Sequence, residues 1–200
     1  MGELKGPIGR AARHLCVDMQ VLFSPQGPWP APWSARVLPV VMMLAERSPQ
    51  HTIFTRFIPP RQAEEMPGVW RDYYRKWRAV TRERLDPAML ELMAGLRHLA
   101  PPAMLFDKMV YSAFADGRLH EALRADGVDT LIVTGSETDV CVLSSVLGAV
   151  DHGYRVILAR DAVCSSSDQA HDAMLTLYRT RFDLQIELAE AGEILEAWKP

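Results

Sequence analysis

Three side chains able to carry out covalent chemistry together stand at the ends of three apolar runs. Asp18 closes the run Arg13–Asp18 (RHLCVD), Lys108 follows Ala103–Phe106 (AMLF), and Cys141 comes just after Thr130–Thr134 (TLIVT), in the first turn of a helical pattern. A thiol with an ordinary pKa of about 8.5 is mostly protonated at neutral pH, and both a helix start and a nearby ammonium favour its thiolate. A carboxylate beside it can accept the thiol proton, and a carboxylate and an ammonium buried side by side keep each other charged. Nucleophile, base and cationic partner make a set for covalent catalysis. The segment Gly135–Val142 (GSETDVCV) adds the free amides of a helix start, so the backbone N–H groups of Val140 and Cys141 are the candidate oxyanion donors. Thr138 or Asp139 is the candidate cap of that turn.

For these residues to meet, the runs must lie side by side with their carboxyl ends at one edge, as a parallel sheet with crossover helices requires. The pattern fits. Strands are predicted at Arg13–Asp18, His51–Phe57, Ala103–Phe106, Thr130–Thr134 and Arg155–Ala159, with an edge strand at Leu184–Leu188. Helical patterns fall between them, at Pro32–Arg47 with Pro39 predicting a kink or late start, at Leu119–Ala125, Asp139–Asp151 and Asp168–Phe182, and finally at Ala191–Trp198. Between the second and third strands, Glu64–Arg84 is dense in aromatic residues and arginine, with Trp70, Tyr73, Tyr74 and Trp77 at helical spacing. That excursion fits either a pocket wall or a core or subunit contact.

Composition narrows the function. Of 200 residues 48% are apolar, and Gly 12 with Pro 14 is far too little for a collagenous or low-complexity chain, so one globular domain covering residues 1–200 is expected. No apolar run approaches the length of a membrane span. A formal net charge of −3 provides no positive field for nucleic acid or anionic lipid, which leaves a small-molecule substrate as the expected partner. Met1–Ala12 lacks the apolar stretch of a secretory signal, and the three widely spaced cysteines, Cys16, Cys141 and Cys164, form no disulfide framework or zinc motif, so a cytoplasmic protein with free thiols is expected. Cys16, within a strand, reads as an inert core residue; Cys164 lies in a serine-rich loop and is assigned no catalysis, nor is His171.

The blocks CVDMQVLF with Asp18, FTRF near residue 55, DKMVYSAF with Lys108, TLIVTGSETDVCVLSSVLGAVDHGYRVILARDAVCSSS with Cys141, and HDAMLTL occur in an order and spacing that resemble the isochorismatase-like cysteine hydrolases. That resemblance covers nearly the whole chain. It implies an α/β fold, a Rossmann-like three-layer sandwich around a six-stranded parallel sheet of order 3-2-1-4-5-6, and an Asp18, Lys108, Cys141 triad. It also implies a cis peptide between Asp139 and Val140, and a homo-oligomer, dimer or tetramer. Nicotinamidases of this superfamily follow their second strand with Asp-Trp-His and a further His that hold a metal; here the stretch reads RFIPPRQ, so neither a metal nor nicotinamidase activity is expected, and the chemistry needs no cofactor.

The resulting expectation is hydrolysis of a carbon–nitrogen bond in a small amide, carbamoyl or ureido compound through a thioester on Cys141. Two alternatives stand beside it: hydrolysis of a vinyl ether of the isochorismate type, and a binding protein that keeps the fold without activity. Phe23, shortly after Asp18, is a candidate for lining the site, and Gln20, Arg56 and Trp70 are further candidates for contacting substrate.

Overall fold

The computed structural model describes residues 4–200; Met1–Glu3, part of the predicted domain and of the leader reading, lie outside the described residues. The strands alternate cleanly between two cores. In β1 (Ala12–Val17) Leu15 and Val17 pack to one side and Cys16 to the other, and in β2 (Thr52–Phe57) Ile53 and Phe54 divide in the same way. This two-residue period is what a sheet covered on both faces demands. With β3 (Met104–Lys108), β4 (Thr130–Ser136), β5 (Arg155–Cys164) and β6 (Ile186–Ala189) the strands form one six-stranded sheet, order β3-β2-β1-β4-β5-β6, with every pairing parallel.

Helices α1 (Ser34–Arg47), α3 (Ala94–Arg97) and α7 (Ala191–Ala197) cover one face, contributing Val41, Leu44, Leu96 and Ile194 to its core. The other face is covered by α4 (Arg118–Ala125), α5 (Cys141–Asp151) and α6 (Asp168–Arg181), through Leu119, Leu123, Val142, Val146 and Tyr178. The predicted α/β sandwich and its strand order are therefore the fold of the chain. No helix among the described residues is long and apolar enough to cross a membrane.

Three local features depart from the sequence reading. The aromatic excursion folds into a single short helix, α2 (Gly68–Lys76), flanked by 3₁₀ turns at Ala63–Glu65, Arg78–Val80 and Pro87–Leu90, and Pro67 leaves no amide to extend α2 towards its amino end. Strand β5 continues past Ala159 to Cys164 after a register shift against β4, which brings the serine-rich loop up beside the end of β4. Pro39 does not delay the start of α1, which begins before it, at Ser34, and takes the proline into its interior.

Two positions bring β1 and β4 close together where the site forms. Gly135 has φ +110°, and a Cβ there would stand 2.0 Å from the Val17 carbonyl oxygen, so only glycine allows this approach. Behind it, the fully buried His14 ring lies between Thr134 and Thr52, with Nε2 2.8 Å from Thr134 Oγ1. Burial lowers its pKa to about 3.

An unfolded histidine takes up a proton near pH 6.5, while folded His14 does so only near 3, so the folded state binds fewer protons across that window. Its contribution is present above the unfolded pKa and lost as pH falls. Stability should decline by about 1.4 kcal/mol per pH unit below pH ~6.5 from this group. Urea midpoints measured from neutral to mildly acidic pH should therefore fall more steeply for the native chain than for His14→Gln, and parallel profiles would contradict it.

Candidate active site

The acid comes first because the backbone makes it costly to place. Asp18, the residue after β1, has φ +51°, the left-handed region that non-glycine side chains adopt at a cost of roughly 1–2 kcal/mol. Neighbouring strands hold it there. From β2, Thr55 Oγ1 donates to Asp18 Oδ1 at 2.5 Å and the Asp18 amide bonds back to the same hydroxyl at 3.1 Å. From β3, Lys108 Nζ donates to Asp18 Oδ2 at 2.6 Å and to the Val110 carbonyl at 3.2 Å. Asp18 is 0% and Lys108 3% exposed, so the two charges neutralise each other in a dry environment. Burial works against the Lys108 ammonium, but the Asp18 carboxylate and the Cys141 sulfur outweigh it and hold the lysine above its usual value.

Cys141 opens α5 and is 5% exposed, and both Asp18 and Lys108 act on its thiol. The structure thus brings the three sequence-predicted residues into one contact set. Burial pushes the thiol well above the ordinary cysteine range; Lys108 pulls it down, while the Asp18 charge and hydrogen bond push it up again. The expectation of a thiolate favoured by the helix start and lysine is therefore reversed for the resting protein. A protonated thiol facing a carboxylate is the arrangement instead.

The turn ahead of Cys141 also differs from the sequence reading. The cis peptide falls at Ser136–Glu137, where the chain leaves β4, while the Asp139–Val140 bond is trans and Val140 turns the chain with φ −125° and ψ −90°. The Val140 amide donates to the Glu137 carbonyl at 3.0 Å, so it is not a free donor as expected; the Cys141 amide donates to no acceptor among the described residues. Neither Thr138 nor Asp139 caps the helix. Their side chains are taken by Ser165, whose Oγ donates to Asp139 Oδ1 at 2.5 Å, and by His171, whose Nδ1 lies 2.8 Å from Thr138 Oγ1. The serine loop after β5 thus braces the turn that carries the thiol.

Cys141 opens onto a cleft of about 450 Å³. Its walls include Phe23, Trp29, Phe57, Tyr73, Trp77 and Tyr111, and Glu137, Val140 and Ser166 line it beside the cysteine. Of the substrate-contact candidates, Phe23 lies in this wall. Gln20 does not: it is fully buried, gives its amide N–H groups to the Phe57 and Leu90 carbonyls and accepts from the Phe57 amide at 2.7 Å, so its polar atoms fasten the Asp18 loop to β2. Arg56 points elsewhere too, into a bidentate pair with Asp107 at 2.7 and 2.9 Å, because alternate residues of β2 face opposite sides of the sheet. Trp70 stands behind the wall, 4.7 Å from the Tyr111 ring and 5.5 Å from Tyr73 between ring centroids. The aromatic excursion thus supplies pocket wall through Tyr73 and Trp77, one helical turn apart, with Trp70 supporting them.

Thr55, Glu137 and Ser166 were not singled out from the sequence, though all three lie within the blocks that carried the resemblance. Cys16 and Cys164 are buried, and burial raises both to about 12; neither lines the cleft. Among the described residues no group of three histidine, cysteine or acidic side chains is placed to hold a metal ion, and the stretch after β2 supplies Ile58, Pro59 and Pro60, which have no ligating side chains. The site does not fit a metal of the nicotinamidase kind.

A parallel sheet of this order with an acid, an ammonium and a thiol meeting at its carboxyl edge defines the class, and the comparisons identify it. The isochorismatase domain model matches residues 13–190, and the chain belongs to that family. Maleamate amidohydrolase from Pseudomonas putida is 30% identical over 128 residues, which are 60% of this chain and 54% of that protein, so the chain spans about half the length of this curated relative. Among solved structures, a cysteine hydrolase from Pseudomonas syringae pv. phaseolicola superposes with a TM-score of 0.80 at 26% identity, covering 97% of this chain and 98% of that one. An N-carbamoylsarcosine amidase from Thermoplasma acidophilum, at 20% identity and a TM-score of 0.71 over 90% of this chain and 96% of its own, shares the fold.

The raised thiol pKa has a direct spectroscopic consequence. At neutral pH the resting protein should show no thiolate ultraviolet absorbance attributable to Cys141, so native and Cys141→Ser spectra should coincide in the thiolate band. A difference band at neutral pH that disappears on mild acidification would mean that Lys108 outweighs burial and Asp18.

Proposed function

We propose that this chain is a cysteine-dependent amidohydrolase acting on a carbon–nitrogen bond of a small amide, carbamoyl or ureido compound. The observation that carries the reading is the Cys141 thiol held against the buried Asp18–Lys108 pair at the floor of a cleft. The family supports it, as do relatives named for amide hydrolysis.

In the first half-reaction the Cys141 sulfur attacks the substrate carbonyl carbon while its proton passes to Asp18. The developing oxyanion takes the free Cys141 amide as its donor. Collapse of the tetrahedral intermediate restores the carbonyl and breaks the carbon–nitrogen bond, and Asp18 returns its proton to the departing nitrogen. A thioester remains. Water then attacks it, giving a proton to Asp18; the carbon–sulfur bond breaks, the sulfur regains that proton, and the acid leaves.

Lys108 stays protonated throughout. Its bond to Asp18 Oδ2 fixes the carboxylate, and its charge offsets the negative charge that moves between sulfur and carboxylate. The high resting pKa of the thiol suits this cycle, because the proton is handed over only as the sulfur–carbon bond forms.

Ammonia or amine release from a panel of amides, carbamoyl compounds and ureides tests the reading. The native protein should turn over at least one class, Cys141→Ser should release none above background, and Asp18→Asn and Lys108→Met should each lower kcat by roughly 10²–10⁴-fold. Equal turnover by native and Cys141→Ser protein would remove the thiol as nucleophile.

A further inference from the structure

The cleft wall has a charge character that the reaction alone does not require. No arginine, lysine or histidine is among the described residues that line it. At its floor, the Lys108 ammonium is already shared between Asp18 and the Val110 carbonyl, and Lys76, whose ammonium lies 5.7 Å from the Trp77 ring centre, does not line it. The one carboxylate among the described residues of the wall is Glu137. It is held by a single oxygen: Oε2 accepts from the Ser166 amide at 3.0 Å and from the Ser166 hydroxyl at 2.5 Å. Oε1 accepts from nothing among the described residues.

Most of the remaining wall is aromatic. Trp29 packs at the centre of the wall, 5.9 Å from Trp77, 6.0 Å from Tyr73 and 6.1 Å from Phe57 between ring centroids. Aromatic faces attract cations and flat apolar groups, and a carboxylate with a free lone pair attracts N–H donors while repelling anions. The Glu137 field reaches the neighbouring hydroxyls as well: burial raises Tyr73 and Tyr111, and the Glu137 charge adds to both shifts.

We infer that Glu137 and the Trp29 wall select the substrate by charge, accepting a flat amide whose non-reacting end is neutral or, better, cationic and N–H-donating, and rejecting one that carries a carboxylate. The inference rests on the amidohydrolase reading for the identity of the reacting bond, but its charge preference concerns binding and can be measured without turnover.

The test is equilibrium binding to Cys141→Ala protein, followed by tryptophan fluorescence, of two ligands that differ in charge: para-aminomethylbenzamide and para-carbamoylbenzoate. The cation should bind about tenfold or more tightly than the anion, and Glu137→Gln in the same background, which keeps an oxygen for Ser166, should bring the two within about threefold. The anion binding as tightly as the cation, a preference unchanged in Glu137→Gln, or no binding of either ligand at millimolar concentration would each overturn the inference. If the preference and its loss are both seen while the native protein hydrolyses neither these amides nor any other, the charge selection stands and the amidohydrolase reading fails.

Discussion

The interaction on which the site depends is the buried contact between Asp18 and Lys108, two opposite charges 2.6 Å apart from strands that are not neighbours in the sheet. Burying either one alone would cost several kcal/mol, so each is tolerated because the other is there. That mutual dependence fixes the geometry around it. Strand β2, lying between β1 and β3, must present Thr55 to the second carboxylate oxygen, and the Asp18 backbone must adopt a left-handed conformation to face both. The thiol inherits its properties from this pair. Burial and the Asp18 charge push the Cys141 thiol up while Lys108 pulls it back, so its acidity is set by its burial and by this pair.

The second constraint is the close approach of β1 and β4. With no side chain at Gly135, β4 lies against the Val17 carbonyl, and the turn leading to Cys141 starts from there. That turn is stabilised less by its own residues than by the loop after β5, where Ser165 and Ser166 engage Asp139 and Glu137. The same contact uses one oxygen of Glu137, which lines the cleft, and leaves the other without a partner among the described residues. In the proposed reading, a brace for the turn that carries Cys141 and a determinant of what the cleft accepts are two ends of one side chain.

Much of this was legible in the sequence, for physical reasons that differ from part to part. The strands could be read because a sheet buried on both faces leaves near-continuous apolar runs such as Leu131–Val133, and the reactive residues because parallel strands gather their carboxyl ends at one edge. The direction of side chains was less accessible. Arg56 and Gln20 lie near the right edge, yet one faces the outside of β2 and the other spends its amide on backbone groups, outcomes that depend on strand phase and loop path rather than on residue type. Val140 was misread as a free donor because its amide turns back onto Glu137, a bond set by the detailed path of the turn. The raised thiol pKa was missed because burial, the largest influence on it, is a property of the folded chain.

The central claim is that the Cys141 sulfur becomes covalently bonded to the acyl part of the substrate. Acid quenching of the native protein during turnover of an amide it hydrolyses, followed by peptide mass spectrometry, addresses it directly. The peptide containing Cys141 should carry the mass of the acyl group, hydroxylamine should remove it, and the peptides containing Cys16 and Cys164 should remain unmodified. Steady turnover with no acylated Cys141 peptide, together with an acyl group found on another side chain, would contradict it.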